Sequence, residues 1–427
     1  MDAAPRGAWW SVFHDPGLDA FETRVGDANQ DIRAALARLG QARAETRIAR
    51  ADYFPTLNAA ASGVRARTSP NSTRFPAGEE PLGNDFDLEA DLSYEFDVWG
   101  RVRNQVASAK ASQHASAADL GALELSIRAE LASDYFALRS TDAQQVLLDK
   151  TVEDYRRALQ LTQNLYKGGA AALTDVAQAQ AQLEIARTQA ADTRLQRAQT
   201  EHAIAVLLGE NPSTFHLDPA PLPPRFALPP IDPGLPSALL ERRPDIAAAE
   251  RRVAAANALI GVARAAYFPV FSLSGTVGFN SIATANWISA PSRFWSIGPT
   301  AILPLFQGGR LAGQTDRAKA AYEEQVANYR TTVLTAYREV EDNLAALRQL
   351  EQENASEAAA VIATGTALQQ ANLRYKGGIA TYLEVATTEN TALQAQLNAV
   401  NIQLRRLTAS VLLIKALGGG WQNTAGQ

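Results

Sequence analysis

The stretch Asp85-Phe-Asp-Leu-Glu-Ala-Asp-Leu-Ser-Tyr-Glu-Phe-Asp-Val98 alternates without an error. Every even position from Phe86 to Val98 is apolar. Every odd one from Asp85 to Asp97 is polar, and six of those seven are acidic. Successive side chains of a strand point to opposite faces, so the pattern predicts a strand with one greasy and one charged face. It outruns the usual five or six residues and suffices for the roughly 9–11 that cross a tilted bilayer. A soluble sheet with one wet face is the alternative. Two details favour a membrane barrel. Carboxylates in a row are costly against a protein core and natural in a watered lumen. Aromatics also gather near strand ends, at Phe86, Tyr94, Phe96, Trp99, Phe294 and Trp295, where an interfacial girdle needs them.

A second strand of the same kind is predicted at 270–281, where Phe271, Leu273, Gly275, Val277 and Phe279 alternate with small polar residues. Segments 56–67 and 293–306 read as their weaker partners, the latter blurred by Pro299 and Pro304. With 85–99 this makes four strands. Four cannot close a barrel, and no open edge survives in hydrocarbon. If they span a membrane, several copies share one barrel.

Composition narrows the rest. The 427 residues carry 40 basic and 45 acidic side chains, a net charge of −5 with no basic block, which argues against nucleic acid. There is no cysteine, and His14, His114, His202 and His216 stand apart, so neither metal centres nor thiol chemistry are supported. No nucleophile–base set is evident; no enzyme activity, cofactor or metal is expected. No run of 18 apolar residues exists, and Val411–Leu417, the best candidate, holds Lys415. The amino-terminal segment lacks a signal-peptide core. Either the chain is cytosolic or its numbering starts after an export signal.

Prolines mark the layout. None lies between Pro81 and Pro212 or after Pro304, which permits very long helices, while ten crowd 212–244 as a connector. The halves repeat each other. Ala51-Asp-Tyr-Phe-Pro55 recurs as Ala265-Ala-Tyr-Phe-Pro269, and Tyr166-Lys-Gly-Gly169 as Tyr375-Lys-Gly-Gly378. An ordered series of such matches is an internal duplication. The first repeat is 1–211, with a long helical hairpin over about 100–209. The second is 245–427, with its hairpin over about 309–418. Apolar steps of four and three, from Tyr322 through Val340 to Leu350 and from Leu393 to Ile414, are coiled-coil seams broken only by Asn343.

Three motifs resemble chemistry. Gly308-Gly-Arg-Leu-Ala-Gly313-Gln-Thr315 nearly fits a phosphate loop, but Gln314 replaces the lysine that would hold the phosphates, so a strand-to-helix turn is expected. Leu240-Glu-Arg-Arg-Pro-Asp-Ile246 reads first as a helix start, with Pro244 in the first turn and Asp245 at the positive end of the dipole. The two Lys-Gly-Gly turns end helices and are followed at matching positions by Asp175 and Glu384. Those carboxylates are either dipole partners or, in a tube of several copies, cation-selecting rings.

Together these features resemble the TolC-like outer-membrane efflux channels, especially the branch serving multidrug pumps of the resistance–nodulation–division class. The residues that carry the resemblance are Trp9-Trp10-Ser-Val-Phe-His-Asp-Pro16, both Tyr-Phe-Pro elements, Tyr94-Glu-Phe-Asp-Val-Trp-Gly100, Glu241-Arg-Arg-Pro-Asp-Ile246, Leu305-Phe-Gln-Gly-Gly309 and both Tyr-Lys-Gly-Gly turns. The resemblance implies a mainly α chain with membrane β structure. In it a coiled-coil α-helical barrel continues a twelve-stranded β-barrel shared by a homotrimer, in a Gram-negative outer membrane with a long periplasmic extension. It implies a passive exit duct in a tripartite pump, joined through a periplasmic adaptor to an inner-membrane transporter. A periplasmic adaptor or soluble coiled-coil scaffold is the other reading, without reason for membrane-length strands in both halves.

By the same resemblance Asp175 and Glu384 line the periplasmic entrance, Tyr375 belongs to the contacts that latch it, and Leu173 and Tyr382 flank the constriction. The tips that dock the adaptor are Tyr166, Lys167, Gly168 and Gly169 in the first repeat and Lys376, Gly377 and Gly378 in the second. Ala386-Thr-Thr-Glu389 departs from the family's common Leu-Asp-Ala-Gln, and Ala380 stands where some members carry a basic latch. The second acidic ring is therefore either absent or moved to Glu389. Many relatives begin with a lipidated cysteine, so a signal and that cysteine are expected to precede Met1.

Overall fold

The computed structural model describes residues 7–69, 82–223, 226, 228–229 and 239–421. They fall into two compact units, one of 1–37, 117–247 and 330–427, the other of 38–116 and 248–329.

The second unit carries the sheet. Strands β1 (Thr56–Arg67), β2 (Leu82–Phe96), β3 (Val270–Ser281) and β4 (Arg293–Ile302) lie in that order, all antiparallel. Residues directly opposite in an antiparallel ladder share a face. Leu88 faces Ala61 and Phe279, Ala90 faces Ala59 and Val277, and Val277 faces Trp295, which makes one face apolar. On the other, Asp91 faces Asn58 and Thr276, and Glu89 faces Ala60 and Gly278. The alternation therefore produced a mainly apolar surface, with Arg65, Arg67 and Arg293 at one end of it, and no core lies behind it: Leu57, Val277, Trp295 and Ile297 are all exposed. The outer edges of β1 and β4 have no partner among the described residues.

Three strand boundaries differ from the sequence reading. β2 starts three residues early, at Leu82 opposite Arg67, and ends three early, at Phe96, because Asp97 accepts hydrogen bonds from the N–H groups of Val102 and Arg103 at 2.9 Å, capping the helix that follows. β4 stops at Ile302, four residues short of 306.

The long helices account for the rest. In the first repeat α1 (Pro16–Ala28) and α2 (Gln30–Ala51) precede the hairpin β1–β2, and α3 (Arg101–Lys167) and α4 (Leu173–Leu207) follow it. The one-turn α5 (Leu239–Arg242) closes the connector; α6 (Pro244–Ala265) then precedes β3–β4, and α7 (Arg310–Lys376) and α8 (Tyr382–Ala416) follow. α3 and α7 each run 67 residues, and α4 and α8 each run 35. At 1.5 Å per residue the longer pair would reach about 100 Å. No helix among the described residues is long and apolar enough to cross a membrane.

The first unit holds the main core, in which Trp9 and Phe13 of the amino-terminal turn pack with Leu18, Leu131, Phe136, Leu407 and Val411. Asp15 caps α1 through the N–H groups of Gly17 and Leu18 and accepts the Tyr135 hydroxyl at 2.8 Å. The start of the Pro-rich connector is pinned, not merely extended. The Ala220 N–H donates to buried Asp142, and Arg197 donates both to Asp142 and to the Leu217 carbonyl. On the seams, Leu407 and Val411 are fully buried, while Tyr322, Val326, Tyr329, Val333 and Leu347 are only half-covered.

Candidate functional site

At the two helix turns the backbone is set by glycine. The Ala170 N–H donates to the Leu165 carbonyl and the Gly169 N–H to the Tyr166 carbonyl. Ile379 and Gly378 repeat this on Arg374 and Tyr375. This paired closure requires a left-handed residue, and Gly169 and Gly378 supply φ of +73° and +70°. Tyr166, Lys167 and Lys376 flank the turns, with Tyr166 exposed, and Gly168 and Gly377 take no positive φ.

Beyond the turns the two repeats diverge. Asp175 folds back to accept the Ala172 N–H at 3.1 Å, the dipole-partner geometry open to an acid at this position. Glu384, its counterpart, accepts from Arg374 at 2.5 Å instead. Leu173 is exposed, whereas Tyr382 is buried. Tyr375 packs edge-on against Tyr382, their ring centroids 5.9 Å apart.

Tyr382 belongs to an apolar cluster with Tyr155, Leu159, Ala179, Leu183, Ala186 and Ala386, to which α3, α4 and α8 contribute. Glu389 stands beside it. Its Oε2 is buried without a hydrogen-bond partner, as are the hydroxyls of Tyr155 and Tyr382. Burial, with the charge of Asp154 second, pushes the Glu389 carboxyl up to about 7. Burial and then the Glu389 charge push the Tyr155 hydroxyl up to about 12 and raise that of Tyr382 as well. Two hydroxyls and a carboxylate oxygen thus lie buried and unpartnered near one another, beside the apolar cluster. Glu389 has a buried carboxylate oxygen, whereas Glu384 is the acid of the second repeat that pairs with Arg374 across the turn.

Sequence reading assigned neither Tyr155 nor Arg374 to this region. Arg374 is visible only as one more basic residue in a helix's last turn. Tyr155 lies several turns before Lys167 in α3, and only the folding of that helix against α8 brings it to Tyr382. The near-phosphate loop is a turn: Gly308 and Gly309 take positive φ, and Arg310 donates to the Gln307 side chain. Arg243 of the Glu-Arg-Arg-Pro-Asp motif is a buried tie, bonded to Asp245, to Glu339 and to the Ala416 carbonyl. No cluster of metal-ligating side chains occurs among the described residues.

An amphipathic sheet with bare edges, long paired helices and glycine tips define a class of membrane conduit. The model of the family described as outer membrane efflux protein matches residues 25–210 and 235–419. The chain belongs to that family. It is 33% identical over 426 residues to the probable efflux pump outer membrane protein TtgC of Pseudomonas putida, covering 100% of this chain and 87% of the relative. Among solved structures it is similar to the outer-membrane channel OprN (TM-score 0.91, 32% identity, 99% of this chain and 94% of the other). It is likewise similar to the CmeC outer membrane channel of Campylobacter jejuni (TM-score 0.93, 27% identity, 99% and 90%). The protein is accordingly an outer-membrane efflux channel with a periplasmic helical extension, a component of an efflux pump and not an enzyme. That membership settles the choice between conduit and periplasmic scaffold.

Proposed function

We propose that three copies of this chain share one twelve-stranded barrel, that their helices continue it as a periplasmic tunnel, and that the glycine turns form the tunnel's entrance. The observation that carries this is the sheet: four strands with one apolar face, one acidic face and two edges unpaired among the described residues. Lipid covers the apolar face, water fills the acidic side, and a neighbouring copy must cover each edge. The half-covered helical seams support the same arrangement. Tyr166, Lys167, Gly168, Gly169, Lys376, Gly377 and Gly378 form the tips on which a periplasmic adaptor docks. The adaptor joins an inner-membrane transporter of the resistance–nodulation–division type, which supplies the energy. Asp175, Glu384, Leu173 and Tyr375 line the entrance, with Tyr382 and Glu389 as the buried layer behind them.

Conductance of the purified channel in planar bilayers tests the entrance. Replacing Asp175 and Glu384 together with alanine should weaken cation block and raise the leak current. Unchanged block and current would take both residues out of the gate.

A further inference from the structure

Charge is sorted between the two faces of the sheet. The carboxylates of the four strands are Asp85, Asp87, Glu89, Asp91 and Glu95, all odd residues of β2 and all on the acidic face. The basic residues are Arg65 and Arg67 on β1 and Arg293 on β4, and all lie on the apolar face. Arg67 stands opposite Leu82, Arg65 opposite Asn84 and Arg293 opposite Phe279. All three arginines are exposed.

Their place along the strands is as uneven as their face. Arg67 is the last residue of β1 to pair and Arg293 the first of β4, both at the end of the sheet that carries the hairpin connections. The long helices join the other end, beyond Thr56, Phe96, Val270 and Ile302. The helical extension is periplasmic, so the arginine end opens to the exterior. Outward along β4 the apolar face runs Ile297, Trp295, Arg293. Along β1 it runs Ala61, Gly63, Arg65, Arg67, with the Phe86 ring lying over Gly63. Aromatic side chains mark the depth where hydrocarbon gives way to headgroups, and a guanidinium one step beyond stands among those headgroups.

We propose that the three arginines bind the phosphates of a bisphosphorylated glycolipid of the outer leaflet, at a site that each seam of the oligomer assembles from two copies. The proposal rests on the shared-barrel reading. In a ring of identical sheets β4 of one copy has β1 of the next as its neighbour, about 4.8 Å away. Arg293 of one copy and Arg65 and Arg67 of the next then flank one patch of lipid-facing wall.

The chain supplies no counter-charge there. None of the three arginines has an ion-pair partner among the described residues. Asp85 and Asp87, the acids of β2 closest to them in the ladder, point to the other face, where the Asn280 side chain donates to them at 2.7 and 2.5 Å. A guanidinium forks to two phosphate oxygens, and anionic headgroups are the counter-charge that a lipid-facing wall meets. Three cations in one patch exceed the single charge of a common phospholipid and suit a lipid with two phosphates. The competing account is that each arginine only snorkels to water, which entails no preference among anionic lipids.

The purified full-length oligomer in detergent is titrated with lipid A, a bisphosphorylated glycolipid, and with phosphatidylglycerol, and bound lipid is counted by native mass spectrometry. Wild type should hold up to three lipid A molecules per trimer, about tenfold more tightly than phosphatidylglycerol, and less tightly as salt rises. Arg65→Gln, Arg67→Gln and Arg293→Gln together should lower lipid A affinity about tenfold or more. Lysine at the same three positions, which keeps the charge without the fork, should fall between. Arg293→Gln alone and the β1 pair alone should each weaken binding, and an effect from one edge only would overturn the composite site. Equal affinity of wild type for the two lipids, or unchanged lipid A affinity in the triple glutamine variant, with trimers intact, would overturn the site and leave the shared barrel standing. A channel that is folded only as a monomer would overturn both.

Discussion

Arg374 and Glu384 lie ten residues apart in sequence and close on each other across the second glycine turn, Nη1 to Oε1 at 2.5 Å. Neither is buried, with side-chain exposures of 52% and 37%. Solvent screening limits such a pair to about 0–1 kcal/mol. Its contribution is to geometry, since it holds the tip of α8 against the end of α7. Glu384→Gln should therefore shift the unfolding midpoint by no more than a degree or two, while raising leak conductance more at low salt than at high salt. Equal effects at both ionic strengths would show that the pair does not hold the tip.

The glycine turns give a second expectation. A Cβ at Gly169 or Gly378 would meet nothing within 4 Å, so the penalty of a side chain there is backbone strain alone. An L-residue in the left-handed region costs about 1–2 kcal/mol. Gly169→Val with Gly378→Val should leave oligomers intact in gel filtration and abolish adaptor-dependent drug resistance. Wild-type resistance would refute a docking role for the turns.

Glu389 predicts a pH dependence with a definite sign. Its carboxyl is raised from 4.5 to about 7 in the folded protein. Between those values the folded state holds a proton that the unfolded state has released, so stability falls as pH rises and levels off above about 7. The groups facing it are Asp154, Tyr155 and Tyr382, and ionised Asp154 steepens the loss. Glu22, fully buried and raised to about 8 by burial, slopes the same way. Its nearest partner, the Arg128 guanidinium, stands 3.6 Å off. The share due to Glu389 is the difference between wild type and Glu389→Gln. That variant should gain on the order of 1–3 kcal/mol at pH 8 and nothing at about pH 3.5, below both values. Denaturant midpoints across that range measure it, and parallel profiles would refute it.

Arg243 supplies the largest expected loss. It is 7% exposed and bonded to two carboxylates and a backbone carbonyl. The guanidinium is buried, but its two acids are 36% and 39% exposed and stay solvated without it, so its removal costs about 1–3 kcal/mol, chiefly through the unpaired Ala416 carbonyl and lost packing. Arg243→Ala should therefore lower the thermal midpoint more than Glu384→Gln. Arg243→Lys, which cannot fork to both acids, should fall between them. A neutral alanine variant would mean the network contributes nothing to stability.

Much of this protein is written in local periodicity. The alternation from Asp85 to Val98 specifies a strand and its two faces, because side-chain direction in a strand depends only on the backbone. The lack of proline over 82–211 permits the unbroken length of α3, and the Lys-Gly-Gly turns announce where the long helices stop. The duplication is legible for the same reason, as repeated residues at constant offsets. Wherever a residue's role depends on what lies across from it, the sequence is silent. The same carboxylate after a glycine turn caps its own helix at Asp175 and binds an arginine at Glu384, and Glu389 has a buried carboxylate oxygen near two tyrosines. Arg243 reads as part of a helix start and proves to be a buried tie to Glu339. The joining of β2 to β3, strands that lie far apart in the chain, makes one sheet of two hairpins and is likewise a tertiary choice. Periodicity is set by neighbours along the chain, whereas partnership is set by neighbours in space, and only folding brings those together.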